Sequence, residues 1–265
     1  MYNILVRPFV RNMEQEKASA VALGYFKFIG SIPFLGWIYR LMHKNRSFGI
    51  DRDVFGLHFY NPLGLGAGLD RKGEMFATLE DLGFSFVEIG PLDATRTRSA
   101  INHIQEKPNE DILAACIKED IITSFSLAYD FCDFFVIDQQ NGIDEQTIDQ
   151  LLSVRMTYDE YKPVVVKLSE HLSQDELYKA LDYCMYGGID GIQVRNNAHV
   201  KLVYEYTKGR MPIIANCHIK SPSEALQLLQ DGASLIELRS GLVSEGPSLV
   251  RKTLNYLEKG LQNNG

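Results

Sequence analysis

The sequence predicts an α/β fold, a (β/α)8 TIM barrel, because short apolar runs alternate with helix-like patterns from Phe48 to near the end of the chain. A chain of 265 residues with 45% hydrophobic content can form one such barrel, which needs about 250 residues. The eight predicted barrel strands are Leu63–Gly66, Ser85–Ile89, Ala100–Ile104, Phe134–Asp138, Val164–Leu168, Gly191–Val194, Pro212–Ala215 and Ser234–Leu238.

Helical patterns separate these strands, except after the second strand, where none is evident. Before the barrel, the segments SFGI and VFGLHF, on either side of Asp51 and Arg52, predict a small hairpin that closes the barrel bottom. The predicted helices are Glu74–Leu82, Asp111–Phe131, Asp144–Met156, Ser173–Tyr186, His199–Thr207, Ser221–Gln230 and Pro247–Leu261.

Residues 1–45 differ from the barrel domain, residues 46–265, and predict a helical hairpin extension. Apolar side chains recur at helical spacing after Glu14, and a second short apolar segment follows Pro33. The apolar stretch from Phe28 to Ile38 is too short to span a bilayer. Two interpretations stay open for residues 14–44. The hairpin either packs on the barrel or lies in a membrane surface with its aromatic edge immersed.

Composition excludes several classes of partner. The net charge is −7 and no long run of Lys or Arg occurs, so nucleic acid is not expected to bind. The four cysteines are far apart and form no CxxC pair, which indicates reduced thiols in the cytoplasm and no metal site.

Catalysis in such barrels takes place at the carboxyl ends of the strands. Every predicted strand ends in polar residues, and the cations among them favour a small anionic ligand at the barrel mouth. These strand-end residues are Gly68, Asp70, Arg71, Glu88, Pro91, Asn102, His103, Asp138 to Asn141, Lys167, Arg195 to Asn197, Asn216 to His218 and Arg239 to Gly241.

The stretch Asn61–Gly73, NPLGLGAGLDRKG, ends an apolar strand in two small residues, as expected where a flat ligand lies against the backbone. It resembles the first barrel strand of the dihydroorotate dehydrogenases. From Met1 to about Leu261 the chain resembles their class 2, membrane-associated branch. The resemblance implies FMN-dependent oxidation of dihydroorotate to orotate in pyrimidine biosynthesis, with membrane quinone reached through the N-terminal hairpin.

The resemblance also implies roles for individual residues. Ala67 and Gly68 would pack against the isoalloxazine ring, and Lys167 would place its ammonium beside the flavin pyrimidine ring. The remaining implied cofactor-binding residues are Asn102, His218, Arg239 and Ser240, and the implied substrate-binding residues are Arg71, Asn196 and Asn197.

Several positions depart from the family pattern. The proton-abstracting serine of class 2 falls near Asn141, which is not a base, and Asp138 replaces an asparagine that binds substrate. The segment between Thr95 and Ala100 is short and lacks the orotate-gripping motif. At the cofactor, His218 replaces a glycine of the phosphate cradle and Pro91 replaces a hydrogen-bonding threonine, so both argue against FMN.

The residues leave three functions open. The first is a working dihydroorotate dehydrogenase, in which FMN oxidises dihydroorotate and membrane quinone reoxidises the flavin; the altered base and substrate positions count against it and predict an impaired or inactive enzyme. The second is a non-catalytic binding or regulatory paralogue. The third is a repurposed barrel that binds another anionic or phosphorylated ligand through Arg195, His218, Lys220 and Arg239. The protein is expected in the cytoplasm, either free or peripheral on the inner membrane.

Overall fold

The structure is a computed structural model that describes residues 2–10, 12–31, 49–74, 82–104 and 112–262. Eight parallel strands form a closed barrel in chain order, and the last strand pairs with the first. The predicted (β/α)8 barrel is therefore confirmed. The barrel strands are β3 (Leu63–Leu65), β4 (Phe86–Leu92), β5 (Ile112–Ile117), β6 (Phe134–Gln139), β7 (Val164–Leu168), β8 (Gly191–Val194), β9 (Ile213–Ala215) and β10 (Leu235–Leu238).

Helices precede the barrel and then alternate with its strands. Polar capping residues in the sequence determine where two of these helices begin. Ser173 and Glu176 form a capping box at one helix, and Ser221 with Pro222 begins another. The described helices are α1 (Tyr2–Leu5), α2 (Arg7–Val10), α3 (Gln15–Ser31), α4 (Ala94–Ile104), α5 (Ile121–Ala128), α6 (Glu145–Arg155), α7 (Gln174–Gly187), α8 (Asn197–Thr207), α9 (Pro222–Gln230), α10 (Ser240–Glu245) and α11 (Ser248–Gln262).

The predicted third strand, Ala100–Ile104, is wrong because these residues form the last turns of α4. The buried residues Thr97, Ala100 and Ile104 recur at helical spacing, and Asp93 accepts a hydrogen bond from the Arg96 N–H, as a helix cap does. The connection after the second strand therefore contains a helix.

The true third strand is β5, which lies inside the predicted helix Asp111–Phe131. Its sequence ILAACI is rich in alanine, which favours a helix by propensity. All but its first residue are buried inside the barrel wall, so tertiary packing decides for a strand. The helix that follows, α5, spans only Ile121–Ala128. The predicted helix Glu74–Leu82 lies largely outside the described residues, so that prediction is not tested.

A layer of aromatic rings fills the bottom of the barrel beneath a two-stranded hairpin, β1 (Arg52–Val54) and β2 (Leu57–Phe59). The rings of Phe59 and Phe86 meet edge to face at 5.4 Å, and Phe134 lies 5.9 Å from both Phe55 and Phe86. Gly64 leaves room for this layer, because a Cβ there would fall 2.1 Å from the Phe86 ring. A closing hairpin is confirmed, but its predicted arms are wrong, because Arg52 belongs to the first strand and the turn lies at Phe55 and Gly56.

The N-terminal helices pack on the barrel near its carboxyl end. The Tyr2 hydroxyl donates to the Val243 carbonyl at 2.5 Å, and Arg7 pairs with Glu245 at 2.6 Å. Helix α3 forms the first arm of the predicted hairpin and buries Ala22 and Phe26. The second arm, after Pro33, lies outside the described residues. In the part of the chain that the structure describes, no helix has the length and apolar character needed to cross a bilayer.

The bottom layer gives the first prediction. Phe134→Ala removes a fully buried ring, and we expect it to lower the free energy of unfolding by about 3–5 kcal/mol. Denaturant titration measures this, with Tyr186→Ala as a control, because Tyr186 is 87% exposed and its loss should change stability by less than about 0.5 kcal/mol. Equal effects of the two changes would show that the rings do not hold the barrel together.

Candidate ligand site at the barrel mouth

The loop after β3 forms a surface of small residues, Gly66 to Gly68, which we call the glycine platform. The Gly66 N–H donates to the Leu238 carbonyl at 3.1 Å and the Gly68 N–H to the Gly90 carbonyl at 2.8 Å. Gly68 has a φ of +107°, a conformation that side chains other than glycine rarely adopt. Sequence reasoning placed Ala67 and Gly68 correctly at the end of the first barrel strand.

The guanidinium group of Arg239 lies directly against the platform. A Cβ on Gly68 would fall 2.8 Å from Cζ, Nε and Nη2 of Arg239, so the flat cation is in van der Waals contact with this glycine. Arg239 follows β10, which pairs with β3 and therefore brings the side chain to this place.

The guanidinium group of Arg239 is partly buried, and few neighbouring groups offset the free-energy cost of burying its positive charge. Burial lowers its pKa, and the nearby guanidinium groups of Arg195 and Arg71 lower it further. Its Nε atom is buried without a hydrogen-bond partner. Among the described residues no carboxylate lies within ion-pair distance of Arg239. An anion at this place would gain charge-assisted hydrogen bonds.

Arg195 is held by a chain of polar side chains across the mouth. It donates to Gln140 Oε1 at 2.8 Å and lies 3.7 Å from Glu170 Oε1. Gln140 in turn donates its backbone N–H and side-chain amide to the two carboxylate oxygens of Asp138. Asn141 follows in an exposed turn. The Asp138 carboxylate therefore fixes this loop.

Lys167 points into the barrel interior below the mouth and is 5% exposed. Its Nζ lies 3.8 Å from Glu88 Oε1 and 3.9 Å from the Cys116 sulfur. Burial alone lowers the pKa of Lys167, but attraction to Cys116, Glu88 and further carboxylates outweighs it and raises that pKa to about 12. Lys167 is therefore charged and paired inside the protein.

A second carboxyl group lies beside Glu88. The Gln193 side-chain amide donates to Glu88 Oε2 at 2.5 Å and to Glu237 Oε2 at 3.1 Å, and Asn216 donates to Glu237 Oε2 at 2.6 Å. Glu88, Gln193 and Glu237 are all fully buried. Burial raises the pKa of Glu237 well above its ordinary value, and the charge of Glu88 and a hydrogen bond with it raise that pKa further.

Sequence reasoning missed this interior layer in part. It named Glu88 and Lys167 at strand ends but not Gln193 or Cys116. The usable signal is one polar residue between two apolar ones within a barrel strand, as in Ile192–Gln193–Val194, because alternate residues of a strand point to the interior.

Other predicted site residues lie elsewhere or are already engaged. Asn196 caps α8 by accepting the Ala198 N–H, and its amide donates to the Glu170 carbonyl. Asn197 is exposed on the first turn of α8. His218 Nδ1 lies 3.1 Å from the Ser240 hydroxyl at the exposed rim. Asn102 lies on the exposed side of α4, so its predicted position at a strand end is wrong.

A cavity of about 390 Å³ separates α3 from the loop that carries the platform. Charged side chains line both of its walls, including the ion pairs Arg71–Glu16 at 2.8 Å and Lys27–Glu74. Leu23 and Leu69 supply part of the remaining lining. The charged walls favour a polar occupant over an apolar one.

Fold and site together define a (β/α)8 barrel whose mouth carries the guanidinium groups of Arg195 and Arg239. Comparison with known proteins then identifies its relatives. The family model for dihydroorotate dehydrogenase matches residues 173–261. A dihydroorotate dehydrogenase (quinone) of Hamiltonella defensa is 26% identical, over 77% of this chain and 86% of its own length.

A second relative matches almost end to end. The dihydroorotate dehydrogenase (quinone) of Christiangramia forsetii is 23% identical over 341 aligned positions, which cover 98% of this chain and 100% of the relative. Because this chain has only 265 residues, the relative carries segments that are absent here. The crystal structure of DHODH from Eimeria tenella in complex with ferulenol shares the fold, with a TM-score of 0.72, 17% identity and coverage of 88% of this chain and 91% of that chain. The resemblance that the motifs predicted is thus confirmed as a similarity in sequence to dihydroorotate dehydrogenases (quinone) and in fold to DHODH.

The FMN that the resemblance implies does not fit the glycine platform in this arrangement. The resemblance places the flavin ring on Ala67 and Gly68, but the Arg239 guanidinium is already in contact with Gly68. The ammonium of Lys167, which would lie beside the ring, is paired with Glu88 in the interior.

The interior layer gives the second prediction. The pKa of Glu237 is raised above 4.5 in the folded state. The protonated Glu237 therefore adds to the free energy of unfolding at low pH, and this addition is lost as the pH rises from 4.5 towards the folded-state pKa. We expect Glu237→Gln, which stays neutral, to remove a decline of up to about 1.4 kcal/mol per pH unit in the free energy of unfolding. Denaturant titrations of both proteins from mildly acidic to alkaline pH measure this. Parallel curves would contradict the assignment.

Proposed function

We propose that this protein is a dihydroorotate dehydrogenase-like barrel in which the FMN-dependent oxidation of dihydroorotate is impaired or lost. The observation that carries the proposal is the contact between the Arg239 guanidinium and Gly68. A flavin ring on this surface would have to displace a partly buried cation, and the displaced guanidinium would need a new position among Arg195 and Arg71.

The loop after β6 supports the same conclusion. The family base falls near Asn141, whose amide accepts no proton at neutral pH, and Asn141 is exposed in its turn. Loss of a positioned base alone typically lowers a rate about 10²–10⁴-fold. In addition, the Asp138 carboxylate is held in place by Gln140, so a negative charge stands where the resemblance implies an uncharged substrate ligand.

A second candidate function follows from the same arginine. Arg239 has a buried Nε without a partner, and Arg195 and Arg71 are close enough to lower its pKa. Three guanidinium groups around one position repel one another, and a bound anion would relieve this repulsion. The mouth would therefore bind a small anion, such as a carboxylate, sulfate or phosphate ester, in place of the parent cofactor.

The N-terminal helices favour peripheral attachment to a membrane surface. Tyr2, Val6 and Val10 are buried against the barrel, whereas the neighbouring side chains point to solvent. The exposed set consists of Ile4, Leu5 and Phe9, with exposed fractions of 78%, 59% and 62%. Such a surface would enter the headgroup region of a bilayer as an interfacial helix does. Quinone remains a proposed partner of residues 14–44 through the resemblance, although the charged cavity beneath α3 does not suit it.

The platform gives the third prediction. Arg239→Ala frees the surface of Gly68, and we expect it to bind FMN at least about tenfold more tightly than the unchanged protein, a gain of about 1.4 kcal/mol. Titration of FMN fluorescence measures the affinity.

Arg195→Ala is the matched control, because it removes a mouth guanidinium that does not lie on Gly68. Loss of that cation should weaken binding of the FMN phosphate rather than strengthen it. Stoichiometric FMN binding by the unchanged protein, or a change in the same direction for both variants, would contradict the account.

The exposed apolar surface gives the fourth prediction. Replacing Ile4, Leu5 and Phe9 by Glu should lower the fraction of protein that floats with anionic lipid vesicles by at least about tenfold, because burial of apolar area drives such binding. A triple Glu variant of Met156, Tyr161 and Tyr186, which are exposed elsewhere, should float like the unchanged protein. Equal flotation of both variants would rule out docking through this surface.

A further inference from the structure

Two carboxyl groups meet inside the barrel at a place where both cannot easily be ionised. Glu88 and Glu237 are fully buried, and the single amide nitrogen of Gln193 lies within hydrogen-bond distance of both. We call these two residues the carboxyl pair. Two buried carboxylates that are both within reach of one amide nitrogen repel each other strongly. The pair therefore has a lower free energy with one proton than with both groups ionised.

The other groups around the pair support one proton and no more. The Lys167 ammonium lies 3.8 Å from Glu88 Oε1 and balances one negative charge. Each member of the pair has an Oε1 atom that is buried without a hydrogen-bond partner, and burying such an oxygen costs less when its carboxyl group carries a proton. Asn216 donates to Glu237 Oε2, which favours the ionised form and offsets part of the rise in the pKa of Glu237 that burial and Glu88 cause.

The groups that face the carboxyl pair come from every strand of the barrel. Burial raises the pKa of Cys116 well above its ordinary range and that of Cys217 to about 12. Among the described residues these groups include Gly66 on the platform, Cys116 on β5, Asp138 on β6, Lys167 on β7, Gln193 on β8, Asn216 and Cys217 after β9, and Arg239 after β10.

The carboxyl pair lies directly below the Arg239 guanidinium. A Cβ on Gly66 would fall 2.9 Å from Glu237 Oε2, and a Cβ on Gly68 would fall 2.8 Å from Arg239, so the two side chains occupy successive positions along the platform. The charge of Glu88 raises the pKa of Arg239, against the larger effects of burial and of Arg195 and Arg71, as expected for a carboxylate near a guanidinium group.

We propose that Glu88 and Glu237 share a single proton and that a small anion bound beside Arg239 is taken up together with it. An anion next to Arg239 cancels the positive charge that would favour an ionised pair, so the pair keeps or gains its proton when the anion binds. Solvent supplies this proton. The coupling rests on the proposed anion site, whereas the shared proton does not.

Sulfate is the probe for the coupling, because it stays a dianion throughout the neutral range. Calorimetric titration in two buffers of different ionisation enthalpy counts the protons taken up with each sulfate. All proteins carry His218→Gln, so that the exposed imidazole at the rim does not contribute. The matched control Glu170→Gln removes a carboxylate near Arg195 without touching the pair.

We expect proton uptake to appear as the pH is raised from about 5 to about 9, with an accompanying loss of sulfate affinity of up to tenfold per pH unit. Glu237→Gln should show neither uptake nor loss, whereas Glu170→Gln should show both. Infrared spectra of the protein without sulfate should contain a band from a buried protonated carboxyl group at neutral pH. This band should disappear in Glu237→Gln and fade over the pH range in which sulfate affinity falls.

The shared proton and its coupling to anion binding can be contradicted separately. Absence of the infrared band at neutral pH would overturn the shared proton. A band that persists while sulfate binds without proton uptake would overturn the coupling. If sulfate does not bind at any pH, the anion site of the proposed function fails and the coupling fails with it, while the infrared result still decides the shared proton.

Discussion

A buried ammonium and a buried carboxylate face each other across the barrel interior, and the mouth depends on this pairing. Glu88 is on β4 and Lys167 is on β7, with β5 and β6 between them, and both side chains point inward. Neither charge could be buried alone, because isolated ions in a protein interior cost several kcal/mol. The pairing leaves Glu237 as the extra acid in the layer, and two amides, Gln193 and Asn216, hold it in place.

The position of Arg239 follows from this layer. The interior below the platform is filled by polar side chains, so the guanidinium lies flat on Gly68, between the buried acids and solvent. Gly68 permits this approach because it has no side chain, which is the same property that would permit a flat cofactor. One backbone surface therefore suits either a flavin ring or an arginine, and in this chain the arginine occupies it. The fold is shared with the similar proteins, and we propose that the chemistry of the mouth differs from theirs.

Sequence patterns predicted the architecture well where strands were rich in β-branched residues. Val164–Leu168 and Gly191–Val194 were predicted at their observed bounds, because short runs of β-branched residues favour a strand over a helix. The third strand was misplaced because SAINHI alternates like a strand, whereas the alanines of ILAACI favour a helix until packing around them is considered.

At the site, Gly68 and Lys167 were predictable from local motifs. The contact of Arg239 with Gly68 and the bridge between Glu88 and Glu237 join residues far apart in sequence, and no local pattern encodes them.

The most direct test of the account is the visible absorption spectrum of the freshly purified protein, recorded before and after addition of dihydroorotate. The account predicts a protein without bound flavin, whose spectrum dihydroorotate leaves unchanged, because Arg239 covers the platform and no base stands at Asn141. A flavin spectrum that dihydroorotate bleaches would contradict it, since Arg239 would then have to leave Gly68 and another group would have to accept the substrate proton.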